Sequence, residues 1–287
     1  MELFEEVFNP GSIYDMLFFN TKAVLIYPTL ENLQKENPIL YDRWKYLSKS
    51  KYNLDMDTYH GTAGAMLDET LKYAQISYEE KAIFYPEFSR IIAITYGTVR
   101  SENGLPKRFL KKIANEDEFL TIATFMDILY GVSSEAIQST PPYFPILCGH
   151  NIMNYDIPLL IKRFLVHKER FRALRNQNSP NELNNLLPLI LKKVLSAKPW
   201  EGKVVDTVNV WKFNGSDYTP LMLIAEHLGL KKTVDVESLP DVNRKYWKTI
   251  TDGGTAAAEV EALEYVALQS ATQTNLVIQL LIQLREL

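Results

Sequence analysis

Cysteine is almost missing from this sequence. Cys148 is the only one, so the chain cannot close an intrachain disulfide or build a cysteine-rich metal site, and a reducing compartment is the expectation. Long apolar runs are missing too: no stretch approaches the ~20 residues that span a bilayer. The acidic opening, broken at Asn9-Pro10-Gly11, does not read as a signal peptide. An excess of positive charge is also lacking. The formal net charge is -4, which argues against a chain coated for nucleic acid but leaves room for a local basic groove. No internal repeat, low-complexity tract or linker stands out. What remains is 287 residues, 46% hydrophobic and 23% charged, enough for one large core or two small ones. These features predict a soluble cytoplasmic protein with no membrane partner.

Strand-like and helix-like segments alternate along most of the chain, which predicts an α/β protein with a mixed sheet. Residues 16–19 (Met-Leu-Phe-Phe) read as a buried strand ended by the polar step Asn20-Thr21-Lys22. Residues 28–57 are polar, with a helix around 39–47, and another short helix is expected at 65–74. Residues 88–99 read as a strand, 106–113 as the next strand or its edge, 117–129 as a helix and 146–150 as a short strand. Residues 157–166 form an amphipathic helix that Asp156 is placed to cap, with Pro158 near its start. A turn and the best candidate for a mobile loop follow at 176–185. Residues 204–207 look like a strand end, 219–228 like a helix stopped at Gly229, and 234–246 like an irregular segment. One domain over 1–287 is expected, with 1–15 as an N-terminal arm and 255–287 as a long C-terminal helix.

Residues 147–165, LCGHNIMNYDIPLLIKRFL, form the most specific segment. Gly149-His150-Asn151 ends a strand, and Tyr155-Asp156 opens a helix a few residues later. This resembles the second motif of the predicted 3′-5′ exonuclease family related to the exonuclease domain of family B DNA polymerases. Other segments are similar in order and spacing: Tyr85-Pro86-Glu87-Phe88 before the strand at Arg90, Val205-Asp206-Thr207 with Trp211-Lys212-Phe213, Tyr218-Thr219, and Leu228-Gly229-Leu230. The resemblance implies an RNase H-like fold, a central mixed β-sheet flanked by helices.

It also implies a chemistry. Such enzymes hold two Mg²⁺ ions about 4 Å apart, and Mg²⁺ demands anionic oxygens. The family supplies them from an Asp-x-Glu on the first strand, the Asp of the second motif, and a Tyr-x-x-x-Asp on the final helix. Here Asn20 and Lys22 stand for the first pair, Asp156 is retained, and Tyr265 is followed by Gln269 rather than Asp. Asp156 is thus the one metal ligand left, which is too little charge for two divalent cations. A rival register over residues 27–31 would keep Glu31, although Pro28 would then interrupt a central strand. Asp206 is expected to cap or support rather than ligate, and Glu261 and Glu264 are candidates for a relocated site.

The resemblance therefore implies a catalytically inactive, exonuclease-like protein. It would need no cofactor and would act with protein partners as a structural or accessory subunit of a phage or replication assembly. The alternative is an active Mg²⁺- or Mn²⁺-dependent 3′-5′ exonuclease with remodelled ligands. Two further expectations attach to the site. Lys22 replaces a metal and pairs with Asp156. Weak single-stranded DNA binding would use Asn151, Lys162, Arg163 and Lys168 within a basic stretch that runs on to Arg170, Arg172 and Arg175, with His150, Tyr155 and Trp211 available for stacking. The other reading of that stretch is a solvated helix face over core aromatics.

Overall fold

The computed structural model describes residues 12–51, 63–137, 145–178, 204–212, 215 and 217–285. In chain order the elements are β1 (Met16–Leu25), α1 (Leu30–Glu36), α2 (Pro38–Lys51), α3 (Ala63–Lys81), β2 (Ser89–Glu102), β3 (Leu105–Ala114), α4 (Glu118–Ile137), β4 (Ile146–Gly149), α5 (Asp156–Val166), α6 (Lys168–Asn178), β5 (Val204–Asp206), α7 (Thr207–Lys212), α8 (Leu221–His227), α9 (Leu239–Gly253) and α10 (Ala256–Arg285). The chain divides into two compact units. One comprises residues 1–22, 91–237 and 263–287; the other comprises 23–90 and 238–262.

The first unit is built on a five-stranded mixed sheet of order β3-β2-β1-β4-β5. β1, β4 and β5 run parallel, with Phe18 opposite Cys148 and Gly149 opposite Asp206, while β2 and β3 are antiparallel. Strand alternation sends Met16 and Phe18 to one face, into a core with Val99, Cys148, Val205, Ile224 of α8, and Leu276 and Leu280 of α10. Phe19 turns to the opposite face, its ring 5.1 Å from that of Phe125 on α4. Helices therefore cover both faces, and β1 and β4 are almost wholly buried, whereas the edge strand β3 is not.

β2 and β3 are joined by the two-residue turn Asn103-Gly104, both at positive φ (54° and 79°). Asn-Gly between two strand-like runs favours this hairpin because both turn residues tolerate the left-handed region. Gly149 is required for a different reason: a Cβ there would stand 2.9 Å from the Phe19 carbonyl oxygen and 3.0 Å from Ile152. Gly149→Ala is expected to destabilise the fold by about 1–3 kcal/mol, read as a lower urea midpoint.

The second unit buries Leu25, Leu33, Trp44, Tyr78, Ile83 and Phe88 in its own core. Trp44 meets Tyr78 and Phe88 edge-on, and its Nε1 donates to the Ala74 carbonyl at 3.0 Å. The end of β1 is satisfied by α9: Leu25 N–H donates to Asn243 Oδ1 at 2.8 Å, and Trp247 Nε1 donates to the Leu25 carbonyl at 3.2 Å.

Four expectations change. β1 does not stop at the polar step but runs through it to Leu25, with Thr21 and Lys22 buried. The residues expected to be irregular at 234–246 include the start of α9, which Ser238 caps by accepting from Asp241 N–H and Gly254 ends at φ 54°. Asn176 to Asn178 close α6 rather than forming a turn, and 179–185 lie outside the described residues. Asp156 does not cap α5: Tyr155 holds the N-cap position, and the Asp156 carboxylate bonds elsewhere. Residues 1–11 of the expected N-terminal arm also lie outside the described residues.

Candidate functional site

Parallel strands of an α/β sheet end together, and the crevice beyond their carboxyl ends is where such folds gather chemistry. Here that end carries Asn20-Thr21-Lys22 of β1, the residues after Gly149 of β4, and Asp206 of β5. α5 opens beside them and contributes Asp156, 2% exposed.

Three donors meet the Asp156 carboxylate, all at Oδ1: Thr21 N–H at 2.6 Å, Thr21 Oγ1–H at 2.8 Å, and Asn20 Nδ2–H at 3.3 Å. Asn20 is itself fixed by Ser270 of α10, whose hydroxyl is 2.9 Å from the Asn20 carbonyl and 3.2 Å from its Oδ1. The Oδ1 of the carboxylate expected as a metal ligand is therefore engaged by neutral hydrogen bonds from the neighbouring strand. Among the described residues the Lys22 ammonium enters no hydrogen bond or ion pair, so the expected direct Lys22–Asp156 pair does not form. The backbone and hydroxyl of Thr21 and the Asn20 amide take the Asp156 oxygen first, and the ammonium acts on the carboxyl only through space.

Burial governs the charges of both groups. Desolvation pushes Asp156 up to about 7, opposed by the Thr21 bonds and the Lys22 charge, and reinforced by Asp206. Desolvation also pulls Lys22 down to about 8, against the attraction of Asp156. The folded state thus holds the Asp156 proton to a higher pH than the unfolded chain does, so the stability contributed by this carboxyl falls as pH rises from about 4 to about 7. The folded state releases the Lys22 proton early, so stability returns as pH rises from about 8 towards about 10.5. The stability difference between the wild type and a Lys22→Met/Asp156→Asn double variant is therefore expected to be least favourable to the wild type between about pH 7 and 8. Urea melts across the pH range measure it; a flat difference would mean that neither group titrates as its burial requires.

Gln269, where the resemblance places the last ligand, is fully employed. Its Oε1 accepts from Glu237 N–H at 3.0 Å, and its Nε2 donates to the Asp235 carbonyl at 3.1 Å. One amide thereby ties the 235–237 segment to α10. A carboxylate could accept but not donate there. Tyr265 lies half-buried one turn earlier on α10.

Asp206 is saturated by backbone: Oδ1 accepts from Asn151 N–H at 2.8 Å and Val208 N–H at 3.0 Å, and Oδ2 from Met153 N–H at 3.1 Å. It holds the turn after β4, including Asn151 at φ 61°. His150 bridges Thr207 Oγ1 (2.9 Å) and the Thr219 carbonyl (3.1 Å); because a carbonyl only accepts, Nε2 carries the proton. Glu261 and Glu264 are exposed on α10. Glu31 sits in the first turn of α1, whose N-cap is Thr29, so the rival register does not lie on a strand. Among the described residues, no three His, Cys, Asp or Glu side chains converge as a metal site.

The basic stretch is divided. Lys162 and Lys168 are exposed. Arg163 is buried, its Nε 2.8 Å from Glu118 Oε1 and its Nη2 2.5 Å from Oε2, while His167 Nε2 stands 2.8 Å from the same Oε2 and Ile91 N–H donates to Oε1 at 2.6 Å. Arg170 grips Asp117 with two bonds of 2.9 and 2.6 Å, and Arg172 pairs with Glu169 at 2.8 Å. The Arg175 side chain lies outside the described residues. Tyr155 and Trp211 are half-buried, and the Trp211 ring meets that of His227 edge-on at 6.4 Å.

Sequence reasoning missed Thr21, Ser270 and the 235–237 backbone. Thr21 and Ser270 are each adjacent to a position singled out; the backbone segment carries no signal of its own. Among the described residues no helix is long and apolar enough to cross a membrane. No protein family, curated protein or solved structure matches the chain.

Proposed function

We propose that the sheet-bearing unit is an RNase H-like, exonuclease-type domain that no longer hydrolyses phosphodiesters and serves as a structural or accessory component of an assembly. Support for the fold comes from the strand order β3-β2-β1-β4-β5, with β1, β4 and β5 parallel and β3 antiparallel to β2. The collinear motifs ending at Tyr265 and Gln269 point the same way. The observation that carries the loss of catalysis is the capture of Asp156 Oδ1 by Thr21 and Asn20, beside a buried ammonium at Lys22. Two Mg²⁺ ions need several carboxylates to offset their dehydration. The positions that would supply the others hold Asn20, Lys22 and Gln269, and Asp206 is bound by backbone N–H groups.

The test is a nuclease assay. A 5′-labelled single-stranded DNA incubated with the full chain and Mg²⁺ or Mn²⁺ is expected to stay intact. Stepwise shortening that disappears in Asp156→Asn would establish the active, remodelled exonuclease instead.

A further inference from the structure

We propose that the β2–β3 hairpin is a docking surface for single-stranded nucleic acid, an inference independent of whether the domain retains catalysis. Arg100, Lys107, Arg108, Lys111 and Lys112 are all exposed on this hairpin, against one acidic residue, Glu102. That concentration stands out in a chain whose net charge is -4. The cations are not consumed internally. Lys107 pairs with Glu102 at 2.7 Å across solvent, an interaction worth little. Arg108 reaches only the neutral Asn275 Oδ1, and among the described residues Arg100, Lys111 and Lys112 have no carboxylate partner.

Lysines on an edge strand also discourage strand-to-strand aggregation, but that role does not explain Arg100, which lies on the inner strand β2. Arg100 and Lys107 are direct cross-strand partners, and like charges placed opposite each other cost stability. Phe109 stands between them and Lys111 on the same strand face. Its half-buried ring has the Arg100 guanidinium 5.1 Å and the Lys107 ammonium 5.5 Å from its centroid. Lys107 and Lys111 stand about 14 Å apart along the strand, about two phosphate steps of an extended single strand, with Phe109 midway between them. Cations spaced for phosphates around an aromatic face are the elements of sequence-tolerant single-strand binding. An acidic peptide would satisfy the charge but leave the ring without a role.

The test is fluorescence anisotropy of a labelled oligothymidylate titrated with the full chain at low salt. Binding is expected, weakening as salt rises. Arg100→Glu/Lys111→Glu should reduce affinity by about tenfold or more, and the salt slope should flatten by about one unit for each phosphate no longer neutralised. Phe109→Leu, which keeps the apolar volume, should weaken binding with the salt slope unchanged. Lys72→Glu/Lys248→Glu, at exposed helix positions outside the hairpin, should leave affinity unchanged. Thermal melts of every variant confirm that the fold is intact. No binding at low salt, equal weakening in the helix control, or tighter binding of labelled polyglutamate than of the oligonucleotide would each overturn the proposal.

Discussion

Asp156→Ala is expected to lower the unfolding free energy by about 3 kcal/mol, because it leaves Thr21 N–H, the Thr21 hydroxyl and the Asn20 amide without their shared acceptor in a buried site. Urea denaturation at neutral pH reads it as a reduced midpoint with an unchanged slope. Asp156→Asn keeps an oxygen for Thr21 and should cost about 1 kcal/mol. The pair then isolates the role of Lys22. Lys22→Met in the wild type removes the charge that favours the Asp156 carboxylate; in the Asp156→Asn background there is no carboxylate to lose. A coupling of about 0.5–3 kcal/mol between the two positions is expected. Strict additivity would show that the ammonium does not act on Asp156 across space, and that hydrogen bonds alone close the site.

Gln269→Asp is expected to destabilise the chain by about 2–3 kcal/mol rather than to revive a metal site. The shorter carboxylate cannot donate to the Asp235 carbonyl, and placed there it sets oxygen against oxygen in a position that is 2% exposed. Gln269→Glu keeps the chain length and loses only the donor, so it should fall between. Installing metal ligands at these positions meets the same obstacle. Introducing the pattern of the resembled family with Asn20→Asp, Lys22→Glu and Gln269→Asp together would remove the Asn20 amide from Asp156 and break the staple between the 235–237 segment and α10. The triple variant is therefore expected to melt earlier than the wild type in the absence of metal, and stabilisation by added Mn²⁺ would report ligands regained. The residues at these positions hold the core together, which makes installing metal ligands there costly.

Much of the arrangement was legible in the sequence because local patterns carry it. The apolar runs at 16–19, 88–99 and 146–150 are strands, and the C-terminal periodicity is the long helix α10, whose Leu276, Leu280, Leu281 and Leu284 all lie in the core. What was not legible depends on partners distant in the chain. Asn20-Thr21-Lys22 looks like the end of a strand, yet the strand runs on, because Thr21 finds Asp156 135 positions away. Asp156 looks like a helix cap for the same reason in reverse. Gln269 looks like a vacancy in a ligand set; only the backbone 32 and 34 residues earlier shows that it is a tie. Arg163 reads as a phosphate contact until Glu118, 45 residues before it, is found against it.

Hydrogen bonds within the protein, on this reading, occupy what would be a two-metal pocket. Calorimetric titration of the full chain with Mn²⁺ tests that occupation most directly, with Asp156→Asn as the reference. The same weak, featureless heats are expected from both proteins. A saturable uptake of about two Mn²⁺ per chain, abolished in Asp156→Asn, would contradict it.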